Sequence, residues 1–143
     1  MVSDEGSADH VLIDTSAWIP VLRQRRRGVR SPLQARVDDL LANDLAATTG
    51  VVRMELLVGT RDAQAYEELR SLLLGLHSLD TLEADWSEAG RLGQQLRLAG
   101  VIVQSTDLLI ATIAIRSAMT LLHRDEDFEL IAKHTDLKTE RYP

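Results

Sequence analysis

The 143-residue sequence contains no cysteine, which excludes disulfides and thiolate metal sites and leaves any metal to oxygen or imidazole ligands. Aromatic residues amount to 3%, so leucine, valine, isoleucine and alanine have to fill the core. No apolar run approaches the length of a membrane span, and the polar opening MVSDEGSAD lacks the apolar centre of a signal peptide. A cytoplasmic protein is the expectation. Positive charge is in deficit: the net charge of −6 argues against holding nucleic acid by bulk electrostatics. What is present is an ordinary globular balance, 45% apolar and 27% charged, in a length that suits one domain with a real core. Residues 1–9 read as a flexible tail and residues 10–143 as a single domain.

Short apolar runs alternate with stretches of helical periodicity. A strand is expected over 10–14, a helix from about 16 to 25, and then a loop, RRRGVRSP, broken by Gly28 and Pro32. Ser31 caps the next helix, whose Leu33, Val37, Leu40 and Leu41 share a face. LAATTG reads as a strand, VVRMELLVGT as a helix ended by Gly59, and Asp62 to Leu74 as another helix. HSLDTL, residues 77–82, is a third strand candidate, followed by an amphipathic helix over 83–99 closed by Gly100. TDLLIATIAIRS is apolar on nearly every face and should be a buried helix. MTLLH is a fourth strand, DFELIAKH a short helix, and the C-terminus offers an edge strand. Strands alternating with helices imply α/β architecture, a three-layer α/β/α sandwich with a mostly parallel central sheet.

The stretch HVLIDTSAW, residues 10–18, runs an apolar strand straight into a carboxylate, Asp14. A buried carboxylate must be offset by a helix N-terminus, a cation or a metal. Asp125 stands just after MTLLH, so both acids fall at strand carboxyl ends, where α/β sheets bind ligands. Glu55 lies among Val51, Val52, Met54, Leu56, Leu57 and Val58, which leaves a helix little polar face to offer it. Asp107 opens the most apolar helix of the chain, after Ser105 and Thr106. Each acid alone has a structural reading: Asp14 and Asp125 as helix caps, Glu55 as a surface residue beside Arg53, Asp107 as a partner of the helix dipole. Together they fit one edge of a doubly wound sheet, and four close carboxylates cannot all ionise unless cations share them. Oxygen ligands with open positions suit Mg²⁺ or Mn²⁺. Two such ions about 4 Å apart can activate a water and stabilise the leaving oxygen of a phosphodiester.

On these residues the chain resembles a known family. DTSAW after an apolar strand, Glu55 in MELLVG, STDLLIATIAI with Asp107 and LLHRDEDFELIA with Asp125 look like the PIN domain, and more narrowly like the VapC ribonuclease toxins of bacterial toxin–antitoxin pairs. The similarity spans residues 10–138, with the acids in family order and spacing. It implies that Asp14, Glu55, Asp107 and Asp125 form a catalytic, metal-binding quartet for Mg²⁺ or Mn²⁺, supported by the hydroxyl of Ser16. It also implies a homodimer, a cognate antitoxin that covers the site, and structured RNA, often transfer RNA, as substrate. One departure is His123, where Thr or Ser is common in the family. Asp127 is a second acid that could stand in for Asp125, although its place at the start of DFELIAKH suits a helix cap.

Between Val21 and Val37 lie six arginines and no acid. Arg25, Arg26 and Arg27 at its centre read either as a phosphate-binding patch for RNA or as a solvated connector. Three rival functions compete with this reading. A haloacid-dehalogenase-type phosphatase needs a second Asp two residues after the first, where this chain has Ser16. A receiver domain needs a lysine after a late strand, and neither Lys133 nor Lys138, the only lysines, follows one in that way. A non-catalytic binding module of the same fold, acting through complex formation, stays open on sequence grounds.

Overall fold

A computed structural model describes residues 9–143; the expected tail, residues 1–9, lies outside the described residues apart from Asp9. In chain order the elements are β1 (Val11–Ile13), α1 (Thr15–Arg27), α2 (Pro32–Ala42), β2 (Ala46–Thr49), α3 (Gly50–Val58) and α4 (Ala63–Leu74). There follow β3 (His77–Leu79), α5 (Glu83–Leu98), α6 (Ser105–Arg116), β4 (Thr120–His123), α7 (Glu126–Ala132) and β5 (Thr139–Arg141). The five strands form one sheet in the order β3-β2-β1-β4-β5, and every neighbouring pair is parallel. The expected α/β class is found, and the sheet is parallel throughout because each strand is reached by a helical crossover. β1 and β2 are buried along their whole length, as strands of a sheet flanked by helices must be.

Two expected boundaries shift. The third strand stops at Leu79 rather than running to residue 82, because its partner β2 ends at Thr49, opposite Leu79, where α3 begins; the Asp80 carbonyl beyond it accepts from Arg116 at 2.8 Å. The arginine run is not a loop: Arg25, Arg26 and Arg27 form the last turn of α1, which ends at Gly28 with φ +70°. Cations there complement the helix dipole, and glycine takes the left-handed cap without a Cβ penalty. Ser31 caps α2 as expected, accepting from the Gln34 N–H at 3.1 Å.

α6 carries the run TDLLIATIAIR, and its residues from Leu109 to Ala114 are all buried. Its C-terminal end is pinned by Arg116, which donates to both carboxylate oxygens of buried Asp85 at 2.8 and 3.0 Å. Burial pushes the Asp85 carboxyl up, but the hydrogen bonds from Arg116 and the Leu82 N–H outweigh it and hold it below its ordinary value. Near the other end α5 approaches closely: a Cβ on Gly93 would meet Leu108 Cδ1 at 2.7 Å. These contacts fix the first turn of α6, and with it Asp107. No helix among the described residues is long and apolar enough to cross a membrane.

Candidate active site

From β1 the chain winds outward to β2 and β3, then returns to build β4 and β5 on the other side. The order therefore reverses at the β1/β4 boundary, and parallel sheets open a crevice beyond the strand ends at such a point. Asp14 leaves β1 there, its N–H donating to the Leu122 carbonyl of β4 at 2.9 Å. Asp125 follows β4 two residues past His123, after the single intervening Arg124.

The first turn of α1 organises the rest. Asp14 caps this helix, its carboxylate accepting from the Ser16 N–H at 2.9 Å. The Ser16 hydroxyl oxygen accepts from the Arg124 N–H at 2.9 Å, which ties the start of α1 to the turn between β4 and α7. Thr15 donates its hydroxyl to Glu55 at 2.7 Å and so draws the α3 carboxylate toward the same edge. Arg53, the expected surface partner of Glu55, bonds Ser78 at 2.7 Å instead. Glu55 is thus a clamped site-edge residue, half-buried.

Asp107, Asp125 and Asp127 each place a carboxylate oxygen within 4.8 Å of the others. Burial, then the charges of Asp125, Asp14, Asp127 and Glu55, push the Asp107 carboxyl from 3.8 up to about 7. The same mutual influence places all four sequence-expected acids, and Asp127 with them, in one electrostatic cluster. Burial also raises Asp14, with Glu55 adding to it and hydrogen bonds from Ser16 opposing it. Asp127 is raised by burial, then by Asp125 and Glu126.

The expected roles of Asp125 and Asp127 at the helix start change. Asp125, not Asp127, caps α7, its Oδ1 accepting from the Asp127 N–H at 3.0 Å. The helix begins at Glu126, two residues before the first apolar side chain, so Asp127 sits inside the first turn. There a carboxylate is favourable against the dipole without capping anything.

Asp107 Oδ2 is buried and has no hydrogen-bond partner among the described residues. A buried carboxylate oxygen without a hydrogen-bond donor, set in a cluster of further carboxylates, suits a site where a proton or a cation shares the charge. With oxygen-only donors in reach, the group fits a hard divalent metal. Thr15 and Glu129, which bonds the buried ring of His123 at 2.8 Å, are the site neighbours that sequence reasoning missed. Thr15 had one signal, its place beside Asp14; its partner lies 40 positions away and leaves no local trace.

Beside the cluster, α1, α3 and α4 enclose a groove of about 550 Å³. Leu22, Leu56 and Leu69 line it together with Arg23 and Arg26, and Glu55 stands in its wall. Arg25 also reaches it but is held by Asp38 at 2.7 Å.

Fold and acid cluster together define a PIN-type nuclease domain, and a family model described as PIN domain matches residues 11–134. Ribonuclease VapC11 of Mycobacterium tuberculosis is 37% identical over 132 residues, covering 90% of this chain and 96% of that protein. The chain belongs to the PIN-domain family and, within it, to the VapC ribonucleases. Among solved structures, VapBC2 from Rickettsia felis, bound to a DNA fragment from its promoter, has a TM-score of 0.76 at 22% identity, covering 93% of this chain and 98% of that one. VapBC-1 from nontypeable Haemophilus influenzae has a TM-score of 0.72 at 21% identity, covering 92% and 96%. At such identities these likenesses establish the fold.

Proposed function

We propose that this chain is the toxin of a toxin–antitoxin pair, an endoribonuclease that hydrolyses phosphodiester bonds in structured RNA, transfer RNA included, with Mg²⁺ or Mn²⁺ as cofactor. The observation that carries this reading is the buried, unpartnered Oδ2 of Asp107 among four further carboxylates. Asp14, Asp107, Asp125 and Glu55 would hold the metal, and Asp127 lies close enough to join them. When bound, one or two such cations supply Lewis-acid stabilisation of the phosphodiester and a more acidic water. The chain's own residues orient that chemistry: Ser16 and the α1 N-terminus fix Asp14, and Thr15 fixes Glu55.

The test is cleavage of structured RNA by purified protein. Activity should require Mg²⁺ or Mn²⁺, vanish in EDTA, and be lost in Asp14→Asn while the far-ultraviolet circular dichroism is unchanged. Cleavage by Asp14→Asn at the wild-type rate would overturn the assignment. A folded wild type that binds RNA or an antitoxin but never cuts would favour the binding-module alternative.

The groove is the proposed seat of the partner. Its leucine floor and arginine rim suit an antitoxin segment with apolar and acidic side chains, and a segment lying there would reach Glu55. A homodimer is proposed on the exposed Met54, Val58 and Leu74 of α3 and α4. α2 offers no such surface, because its Leu33, Val37 and Leu40 are buried in the core.

RNA is proposed to use the same arginine rim when the partner is absent. Arg26→Ala should raise KM with kcat largely kept and lower the log–log salt slope of binding by about 0.7 to 0.9. Arg27→Ala should leave both unchanged, since Arg27 does not line the groove. Equal effects of the two variants in a salt titration would reject a groove-specific phosphate contact.

A further inference from the structure

His123 ends β4 wholly buried, and the metal chemistry proposed above gives it no task. Its two ring nitrogens nevertheless face different partners. Nδ1 lies 3.0 Å from the Asp125 backbone N–H, an obligate donor, so this nitrogen must carry a lone pair. Nε2 then carries the proton, and it lies 2.8 Å from Glu129 Oε2, an acceptor. Only the Nε2–H tautomer satisfies both neighbours, because a proton on Nδ1 would face another N–H.

Glu129 is itself held. Burial pushes its carboxyl up, but hydrogen bonds from Thr139 and His123 and the charge of Arg141 outweigh burial and keep it below its ordinary value. The Phe128 ring packs against the imidazole with centroids 5.2 Å apart. Asp125 is therefore anchored twice, through its N–H to the ring and through Oδ1 to the Asp127 N–H.

We propose that His123, locked in one tautomer by Glu129, is a positioning residue that holds the β4–α7 turn and so sets where Asp125 presents its carboxylate to the metal. This inference rests on the acid cluster being the metal site. Partners that orient a ligand from behind typically change metal affinity by about 10- to 100-fold when removed. The ring does here what an Asn or Thr side-chain oxygen can do, accepting the N–H two residues ahead.

That equivalence supplies the experiment. Mn²⁺ binding to the purified metal-free protein is measured by titration calorimetry for wild type, His123→Phe, His123→Asn and Glu129→Leu, with urea unfolding recorded alongside. His123→Phe keeps an aromatic ring but cannot accept, and should bind Mn²⁺ about 10-fold or more weakly. His123→Asn restores the acceptor and should stay near the wild-type affinity even where it lowers stability. Glu129→Leu should weaken Mn²⁺ binding in the wild-type background and have no effect on it beside His123→Asn. A ring that merely fills the core predicts the opposite ranking, with His123→Phe the milder change.

Nitrogen-15 spectra of the His123 ring in the metal-free wild type give a readout independent of metal. A protonated Nε2 with an unprotonated Nδ1 is expected, and Glu129→Leu should scramble this assignment. Nδ1–H in the wild type, or wild-type Mn²⁺ affinity in His123→Phe, would overturn the proposal. If His123→Phe fails to fold, the Glu129→Leu pair and the ring spectra decide it. Absence of Mn²⁺ binding in the wild type would instead refute the metal site itself, while the ring spectra would still test the tautomer lock.

Discussion

Asp107→Asn is expected to abolish RNA cleavage, by about two orders of magnitude or more, and to make the metal-free protein more stable at alkaline pH. The two effects have one cause. Burial and the surrounding carboxylates raise the Asp107 carboxyl from 3.8 to about 7, so between those values the folded chain holds a proton that the unfolded chain releases. The stability contributed by this protonation is fully present below pH 4 and is lost as pH rises through about 7. The metal-free wild type should therefore weaken between pH 5 and pH 8, and the neutral amide should flatten that slope. We expect a gain of about 1 to 2 kcal/mol for the variant at pH 8, less than the full linkage value because water reaches the cluster. Mn²⁺ at pH 8 should restabilise the wild type and leave the variant unmoved. Thermal unfolding at both pH values, with EDTA and with Mn²⁺, reads all of this. A variant that cleaves normally, or that loses stability at pH 8, would show that the carboxylates do not form one strained site.

Asp125 and Asp127 should separate function from folding. Asp125 both joins the cluster and caps α7, so Asp125→Ala loses two things at once. Its cleavage should fall by about 100-fold or more, and its stability by about 1 kcal/mol for the lost cap, less any relief of repulsion. Asp125→Asn keeps a capping oxygen and should lose the activity without the stability. Asp127→Ala removes a cluster charge but no cap, and should lower cleavage by about 10-fold while leaving stability equal or slightly higher. Chemical unfolding and cleavage rates of the three variants decide the matter. Normal activity in Asp125→Ala, with a dead Asp127→Ala, would transfer the principal role to Asp127.

Much of the molecule could be read from neighbouring residues. Short apolar runs and helical periodicity indicated a parallel α/β sheet, and Ser31 and Gly59 marked helix ends, because capping is satisfied within one turn of chain. Asp14 was legible for the same reason: an apolar strand ends on it, and a helix starts beside it. Other features have no local signature. Whether Arg25 to Arg27 continue a helix depended on the left-handed cap at Gly28 and on Asp38 receiving Arg25 from α2. Which acid caps α7 depended on where the first turn begins, a matter of one residue that periodicity does not resolve.

The sequence by itself determined the class of fold, the apolar settings of the acids and the exclusion of thiolate chemistry. Tertiary structure alone decided that Thr15 grips Glu55, that Ser16 receives the Arg124 N–H 108 positions away, and that His123 takes one tautomer. The reason is physical. A hydrogen bond across a turn is set by nearby dihedral angles, whereas a bond across the sheet edge forms only after packing has fixed both elements. The raised Asp107 carboxyl is the extreme case, since it is set first by burial and then by four acids drawn from three other segments.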